Sequence, residues 1–89
     1  MSSDEQRWYV SGSWCEYIAT MVVVACTEEE AIAKAQAYWD KHKYDVRGFD
    51  WEAMTETRMR ELARGCIRFD ADVLLNREPY YSGGYRYPY

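Results

Sequence analysis

One histidine and three cysteines are the residues of this chain best suited to chemistry: His42, Cys15, Cys26 and Cys66. A cysteine nucleophile needs a base beside it, and a structural zinc site usually begins from closely spaced ligand pairs. The spacing links none of the four. An odd, scattered set of cysteines is typical of a reducing compartment. We therefore interpret the cysteines as small apolar residues and His42 as a partner for a helix C-terminus, and we predict no metal and no cofactor.

Two carboxylates and three arginines offer a second set of reactive groups. Asp70 and Asp72 could hold a metal or transfer protons, but their alternation with apolar residues is typical of a strand with one solvated face. Arg58, Arg60 and Arg64 lie toward the end of a predicted helix, where cations are favoured. Neither set forms a catalytic pattern. The sequence therefore predicts a protein that is not an enzyme.

Length and charge narrow the class of protein. The 89 residues predict one domain, and 48% hydrophobic with 29% charged residues is a globular composition. The net charge of −4 disfavours a general nucleic-acid binder and an anionic membrane surface as partners. No apolar run is long enough to span a membrane, and the first six residues, which are mainly acidic and polar, do not resemble a signal peptide. These features predict a cytoplasmic protein.

Two strands and a capped helix organise the rest of the chain. β-branched and aromatic residues dominate residues 7–14 and 17–25, as a half-buried pleated surface favours. The second strand is apolar on both faces, which predicts a central position or a covering partner. Thr27 and Glu30 form a capping box that begins a helix running to His42. The predicted core contains Trp8, Val10, Ile32, Ala35 and Trp39.

The second half predicts a further helix over residues 51–64, capped by Asp50, and a strand over residues 66–76. The fold class is then α+β: a small antiparallel sheet of about three strands with two helices on one face, in the order strand-strand-helix-helix-strand. Helices on one side leave the other face of the second strand, with Val22 and Val24, exposed. We expect that face to meet a target, a second copy in a homodimer, or the C-terminal segment.

The C-terminal segment, residues 79–89, is rich in tyrosine, glycine and proline and follows a single domain over residues 1–78. It is either a frayed tail or an adhesive segment, because tyrosine offers a large amphipathic contact area at low entropy cost. The predicted partner-binding residues are Tyr80, Tyr81, Tyr85, Arg86, Tyr87, Tyr89, Glu28, Glu29, Asp70 and Asp72.

The hairpin followed by Thr-Glu-Glu-Glu-Ala-Ile-Ala-Lys-Ala, over residues 8–39, resembles small proteins of phages and mobile elements, anti-CRISPR proteins among them. The resemblance implies binding to a CRISPR effector of the host and a block of target recognition or cleavage. The sequence thus predicts a small non-enzymatic inhibitor or adaptor that binds another protein. The alternative is a nucleic-acid module that stacks bases on exposed aromatic rings, which the negative charge disfavours.

Overall fold

The fold is an open antiparallel sheet with helices on both faces. The computed structural model describes residues 5–65 and 70–83, and within them lie four strands and three helices. The elements are β1 (Gln6–Trp14), β2 (Tyr17–Ala25), α1 (Glu28–Lys41), β3 (Asp50–Thr55), α2 (Glu56–Ala63), α3 (Ala71–Leu75) and β4 (Tyr80–Gly83). The strand order is β3-β1-β2-β4, all antiparallel. The predicted α+β class is confirmed, and the described residues form four strands instead of the predicted three or so.

Strand β2 is central, as its two apolar faces predict. It pairs with β1 along its whole length and with β4 over Tyr17 to Thr20. Alternation places Ala19, Val23 and Ala25 on one face, where all three are buried. Its other face carries Val22, which packs against the helices of that face, so apolar residues serve both faces of β2.

The capping box begins α1 as predicted. Thr27 Oγ1 accepts a hydrogen bond of 3.1 Å from the Glu30 backbone N–H. The Glu30 carboxylate in turn accepts one of 3.0 Å from the backbone N–H of Cys26, one residue before the cap. That bond is the main reason why the pKa of Glu30 lies below its ordinary value. The cap turns the chain from β2 back over the sheet.

Helix α1 covers the first face of the sheet and presents Ala31, Ala35 and Trp39 to it. The predicted core is largely confirmed. Ala31 and Ala35 pack with Trp8, Val10 and strand β2, whereas Ile32 is half-buried at the margin of that cluster. Trp39 lies in the adjoining cluster with Ala19 and Phe49. Met21 and Trp51 pack against both clusters and join them.

Gly12 makes room for an aromatic ring on this face. It pairs with Trp51 of β3 on one side and with Ala19 of β2 on the other. A Cβ at Gly12 would lie 2.6 Å from the Trp51 ring, well inside contact distance. Trp51 therefore lies over Gly12, and Ala19, on the other side of Gly12, pairs in turn with Tyr81 of β4.

Gly12→Ala is expected to destabilise the protein by about 1–3 kcal/mol, because the Trp51 ring or strand β3 must shift to accept the methyl group. Urea denaturation of the two proteins measures the change. Gly65→Ala is the matched control, since nothing lies within 4 Å of a Cβ there; we expect it to change stability by less than about 0.5 kcal/mol. Equal, small effects at both glycines would contradict the packing of Trp51 on Gly12.

The prediction that the helices share one face is wrong. Helices α2 and α3 pack on the second face, where Met59, Ala71 and Leu75 form a cluster against Tyr9, Val22 and Met54. The physical reason is the apolar pair Tyr9 and Val22, which are cross-strand partners and offer a surface for helices. The chain itself thus covers Val22, while Ile18 and Val24 stay 41% and 47% exposed.

Two element predictions of the second half are also wrong. Residues 50–55 form a strand because they pair with β1, and Thr55, not Asp50, caps the helix that follows. Residues 71–75 form a short helix capped by Asp70, whose side chain accepts hydrogen bonds from the Asp72 and Val73 backbone N–H groups. Cys66 and residues 67–69 of that predicted strand lie outside the described residues.

The first residues of the tyrosine-rich segment belong to the sheet. Tyr80–Gly83 forms β4, and the register pairs Tyr81 with Ala19 and Gly83 with Tyr17. Tyr81 therefore points to the face that carries α1, and Tyr80 to the opposite face. The other predicted partner-binding residues of this segment, Tyr85, Arg86, Tyr87 and Tyr89, lie outside the described residues.

Candidate functional site

The turn between β1 and β2 places two aromatic side chains side by side at one end of the sheet. Trp14 and Tyr17 are the last cross-strand pair before the two-residue connection of Cys15 and Glu16. Cys15 takes a φ of 53°, the left-handed conformation that so short a turn requires. The two rings stack, with centroids 5.7 Å apart and planes 27° from parallel. Half of Trp14 is exposed (50%), so the pair forms an aromatic ridge at the surface.

The loop from α1 to β3 approaches this ridge from above the sheet. His42 ends α1, and its neighbour Lys43 turns the chain with a φ of 68°. Gly48, at a φ of 84°, directs the chain into β3 close to the Trp14 ring, because a Cβ there would lie 3.9 Å from Trp14 Cδ1. The loop buries Phe49 beneath α1 and leaves Asp45 and Arg47 at the surface.

A cleft of about 210 Å³ lies between the ridge and the loop. Its lining residues are Trp14, Tyr17, Asp45, Arg47, Phe49 and Tyr81. The Phe49 and Tyr81 rings are nearly parallel, 19° apart with centroids separated by 6.3 Å. The Tyr81 hydroxyl donates a hydrogen bond of 3.4 Å to the Asp45 carbonyl, which ties β4 to the loop. We call this site the aromatic cleft.

An ion pair at the rim of the aromatic cleft joins two residues of the loop, Asp45 and Arg47. Arg47 donates from Nε to Asp45 Oδ1 at 3.0 Å and from Nη2 to Asp45 Oδ2 at 3.1 Å, a bidentate geometry. The hydrogen bonds from Arg47 hold the pKa of Asp45 below its ordinary value, and Asp45 raises the pKa of Arg47. The Arg47 side chain is 91% exposed, so the pair is solvated and adds little to stability.

The lining of the aromatic cleft is mainly aromatic. Four aromatic walls offer apolar area and the negative faces of π-systems, and the rim adds one carboxylate and one guanidinium. The groups considered for catalysis lie elsewhere: His42 stacks on Tyr38 with ring centroids 4.2 Å apart, and its Nδ1 lies 3.2 Å from the Tyr38 carbonyl. Cys15 is exposed in the hairpin turn, and Cys26 is half-buried before α1.

The predicted partner-binding residues fall at separate places. Of those that the structure describes, Tyr81 alone lines the aromatic cleft, and Tyr80 lies on the other face, with the Arg77 guanidinium 4.6 Å from its ring centroid. Glu28 and Glu29 are exposed in the first turn of α1. Asp70 caps α3 and Asp72 pairs with Arg60, so both acidic residues have structural roles.

Sequence reasoning missed most of the aromatic cleft. Trp14, Tyr17, Phe49 and the pair Asp45 and Arg47 were not among the predicted binding residues. The alternation of β1 and β2 carries a signal for two of them, since residues on either side of a two-residue turn face the same way. The loop residues carry no such signal, because only the fold brings residues 45–49 to the hairpin.

Asp72 and its neighbours form a surface network that ties both helices of the second face to β1. Glu56 pairs with Arg7 at 2.9 Å and with Arg60 at 3.1 Å, and Arg60 reaches Asp72 at 2.7 Å. The hydrogen bonds from Arg7, and then those from Arg60, lower the pKa of Glu56. A carboxyl whose pKa is lowered by folding stabilises the protein above its unfolded-state pKa and loses that contribution as the pH falls through the folded-state pKa.

Glu56→Gln is therefore expected to destabilise the protein at pH 7, with the difference from the wild type closing below about pH 4.3, where unfolded-state glutamate takes up its proton. Urea midpoints measured from pH 7 to pH 2.5 test this. The matched control is Glu61→Gln, whose carboxylate pairs with Arg58 within α2. A wild-type and Glu56→Gln difference that is independent of pH would contradict a charged role for Glu56.

Among the described residues, no group of three or more histidine, cysteine, aspartate or glutamate side chains is placed to hold a metal ion. No helix in residues 5–65 or 70–83 is long and apolar enough to cross a membrane. Comparison of the chain with protein-family models, curated proteins and solved structures finds no match. The resemblance of residues 8–39 to anti-CRISPR proteins stays an expectation.

Proposed function

We propose that this protein is a small non-enzymatic inhibitor or adaptor of the cytoplasm that binds another protein through the aromatic cleft. The observation that carries the proposal is the exposed, stacked pair of Trp14 and Tyr17 beside a cleft that is ready to receive a side chain. Exposed aromatic residues that form a preorganised surface are the commonest anchors of protein interfaces.

The area of Trp14 that a partner can bury supports its role as an anchor of the interface. A tryptophan offers about 200 Å² of surface, and half of Trp14 is exposed, so a partner can bury about 100 Å² of it. At about 25 cal/mol per Å², that burial contributes about 2.5 kcal/mol, the size of an interface hot spot. Tyr17 stacks on the Trp14 ring and restricts its motion, so little side-chain entropy is lost on binding.

The alternative is a module that stacks nucleic-acid bases on the same rings. Arg47 is the group that could contact a phosphate there, but Asp45 already neutralises it and would repel a phosphate itself. The net charge of −4 adds a general repulsion. Protein binding is therefore the better supported of the two uses of the aromatic cleft.

A CRISPR effector complex is the partner that the resemblance of residues 8–39 implies, and it is part of this proposal. Its test is a target-cleavage or target-binding assay with purified effectors and added protein. Loss of effector activity with the wild type and retention of activity with Trp14→Ala supports the proposal. If every effector tested keeps full activity with the wild type and with Trp14→Ala, a CRISPR effector is not the partner. The pull-down described next then tests protein binding by itself.

Trp14→Ala and Tyr17→Ala are expected to weaken partner binding about 30-fold or more, the change that the loss of a hot spot of about 2 kcal/mol produces. The experiment is a pull-down with the full chain as bait. The affinity of each variant for the protein that is retained is then measured. Val73→Ala is the control, because Val73 is an exposed apolar residue that lies on α3, on the second face of the sheet. Equal retention by all variants, or salt-sensitive binding to free DNA or RNA tighter than about 1 μM, contradicts the proposal.

Self-association through Ile18 and Val24 on the second face stays a prediction. Light scattering of the wild type and of an Ile18→Ser, Val24→Ser variant tests it. A wild-type dimer that becomes a monomer in the variant supports a homodimer on that face. A wild-type monomer contradicts it.

A further inference from the structure

We propose that the aromatic cleft receives a cationic side chain, an arginine presented by a basic segment of the partner protein. This inference rests on the proposed function and names the chemistry of the segment that binds. Three kinds of group meet in the cleft: aromatic faces, the Asp45 carboxylate, and Arg47 of the chain itself. The guanidinium of Arg47 already shows how such a group pairs with that carboxylate.

The walls of the cleft favour a cation. The faces of tryptophan and tyrosine rings carry negative partial charge and attract a guanidinium within about 6 Å of the ring centre. Trp14, Tyr17 and Tyr81 all present rings to the cleft. This chain makes the same contact elsewhere, where the guanidinium of Arg77 lies 4.6 Å from the centre of the Tyr80 ring.

Asp45 supplies the counter-charge at the rim. Its two carboxylate oxygens accept a bidentate pair of hydrogen bonds from Arg47, at 3.0 and 3.1 Å. A guanidinium from a partner fits the same fork, because the geometry belongs to the carboxylate and not to the loop. Arg47 thus pairs with the Asp45 carboxylate while no partner is bound.

Exchange of Arg47 for a partner's arginine is favourable on the same grounds. The Arg47 side chain is 91% exposed and its pair with Asp45 is solvated, so breaking that pair removes little stability. An arginine inserted between the rings gains contacts with their faces in addition to the pair with Asp45. Arg47 then swings into solvent, as its exposed position allows.

The charge of the whole chain points to the same ligand. A net charge of −4 attracts a basic segment and repels an acidic one before contact. An acidic segment could use Arg47, but it would also face Asp45 across the same rim. A purely apolar segment would leave that carboxylate without a role in recognition.

The test titrates the full chain with blocked pentapeptides of the form Gly-Gly-X-Gly-Gly and follows backbone amide NMR shifts at the aromatic cleft. X is arginine, citrulline, leucine or glutamate; citrulline has nearly the shape of arginine and no charge. We expect the arginine peptide to bind at least tenfold more tightly than the citrulline peptide. We also expect Asp45→Asn to weaken the arginine peptide at least fivefold.

Arg47→Gln provides the sharpest variant, since it frees Asp45 and should tighten the arginine peptide at least threefold. Arg58→Gln is its matched control: it removes one positive charge from an exposed site on α2, on the other face of the sheet, and leaves Asp45 paired. Two results overturn the inference: equal tightening in both variants, which assigns the effect to net charge, or weaker binding in Arg47→Gln. Circular dichroism checks that each variant folds.

The peptide series separates this inference from the proposed function. Arginine and citrulline peptides that bind equally, with Trp14→Ala weakening both, overturn the cationic ligand and leave the aromatic cleft as a protein-binding site. Preference for the glutamate peptide, lost in Arg47→Gln, overturns it in favour of an anionic ligand. Shifts that avoid the cleft with every peptide overturn the inference, and the pull-down with Trp14→Ala then decides the proposed function by itself.

Discussion

Trp39→Ala is expected to lower the free energy of unfolding by about 3–5 kcal/mol, the usual cost of truncating a large buried aromatic residue. Trp39 is 3% exposed and is the point where α1, the loop after it and β4 meet. Its ring contacts those of Tyr38, Tyr44 and Tyr81 at centroid distances of 4.9, 5.3 and 5.6 Å. Alanine leaves a cavity that these large, constrained rings cannot fill.

Trp14→Ala is the matched control for Trp39→Ala, because it removes the same side chain from a surface position. We expect it to cost less than about 1 kcal/mol, and urea denaturation followed by circular dichroism measures both changes. Similar values for the two tryptophans would contradict the placement of the α1 face. Because Tyr81 lines the aromatic cleft and contacts Trp39, we expect Trp39→Ala to weaken the proposed partner binding as well as stability, and Trp14→Ala to weaken mainly the binding.

The buried N–H group of the Trp39 indole leads to a further prediction on stability. Its Nε1 is buried and has no hydrogen-bond partner among the described residues. The rings of Tyr38 and Tyr44 lie nearly perpendicular to the indole, at 87° and 78°, and an aromatic ring is at best a weak acceptor. Trp39→Phe removes this buried donor and keeps much of the ring, so it should cost clearly less than Trp39→Ala in the same denaturation experiment.

Met59→Ala is expected to lower the free energy of unfolding by about 2–5 kcal/mol, as for other large aliphatic side chains cut back in a core. Met59 is fully buried, at 0% exposure, and packs with Ala71 and Leu75 against Tyr9 and Met54. It is the side chain that attaches α2 to the second face of the sheet. Its loss should therefore loosen α2 and α3 together.

Leu62→Ala is the matched control for Met59→Ala on the same helix. Leu62 is 39% exposed, so its truncation should cost about 1 kcal/mol or less. Thermal unfolding compares the two variants, and hydrogen exchange shows whether the amides of α2 and α3 lose protection first. A larger effect at Leu62 than at Met59 would place the Leu62 side of α2 against the sheet and contradict the packing of Met59 on its second face.

Where a predicted element is wrong, the local sequence pattern fits both a helix and a strand. In residues 50–55, Asp50 and Glu52 look like the cap and first turn of a helix, yet Trp51 and Ala53 alternate with them as in a strand. Pairing with β1 selects the strand, since Gly12 accepts the Trp51 ring directly across it. In residues 71–75 the alternation suggests a strand, but Ala71 and Leu75, one helical turn apart, are the buried residues.

The sequence by itself determined the α+β class, the hairpin, the central place of β2 and the capped start of α1. Each depends on residues near one another in the chain: a period of two in the strands, and the hydrogen bonds of Thr27 and Glu30 at the cap. Only the tertiary structure decided which face each helix covers, that Tyr80–Gly83 joins the sheet, and where the aromatic cleft forms. Those features depend on contacts between distant segments, such as Trp14 with Gly48 and Tyr17 with Tyr81, whose partners no local pattern specifies.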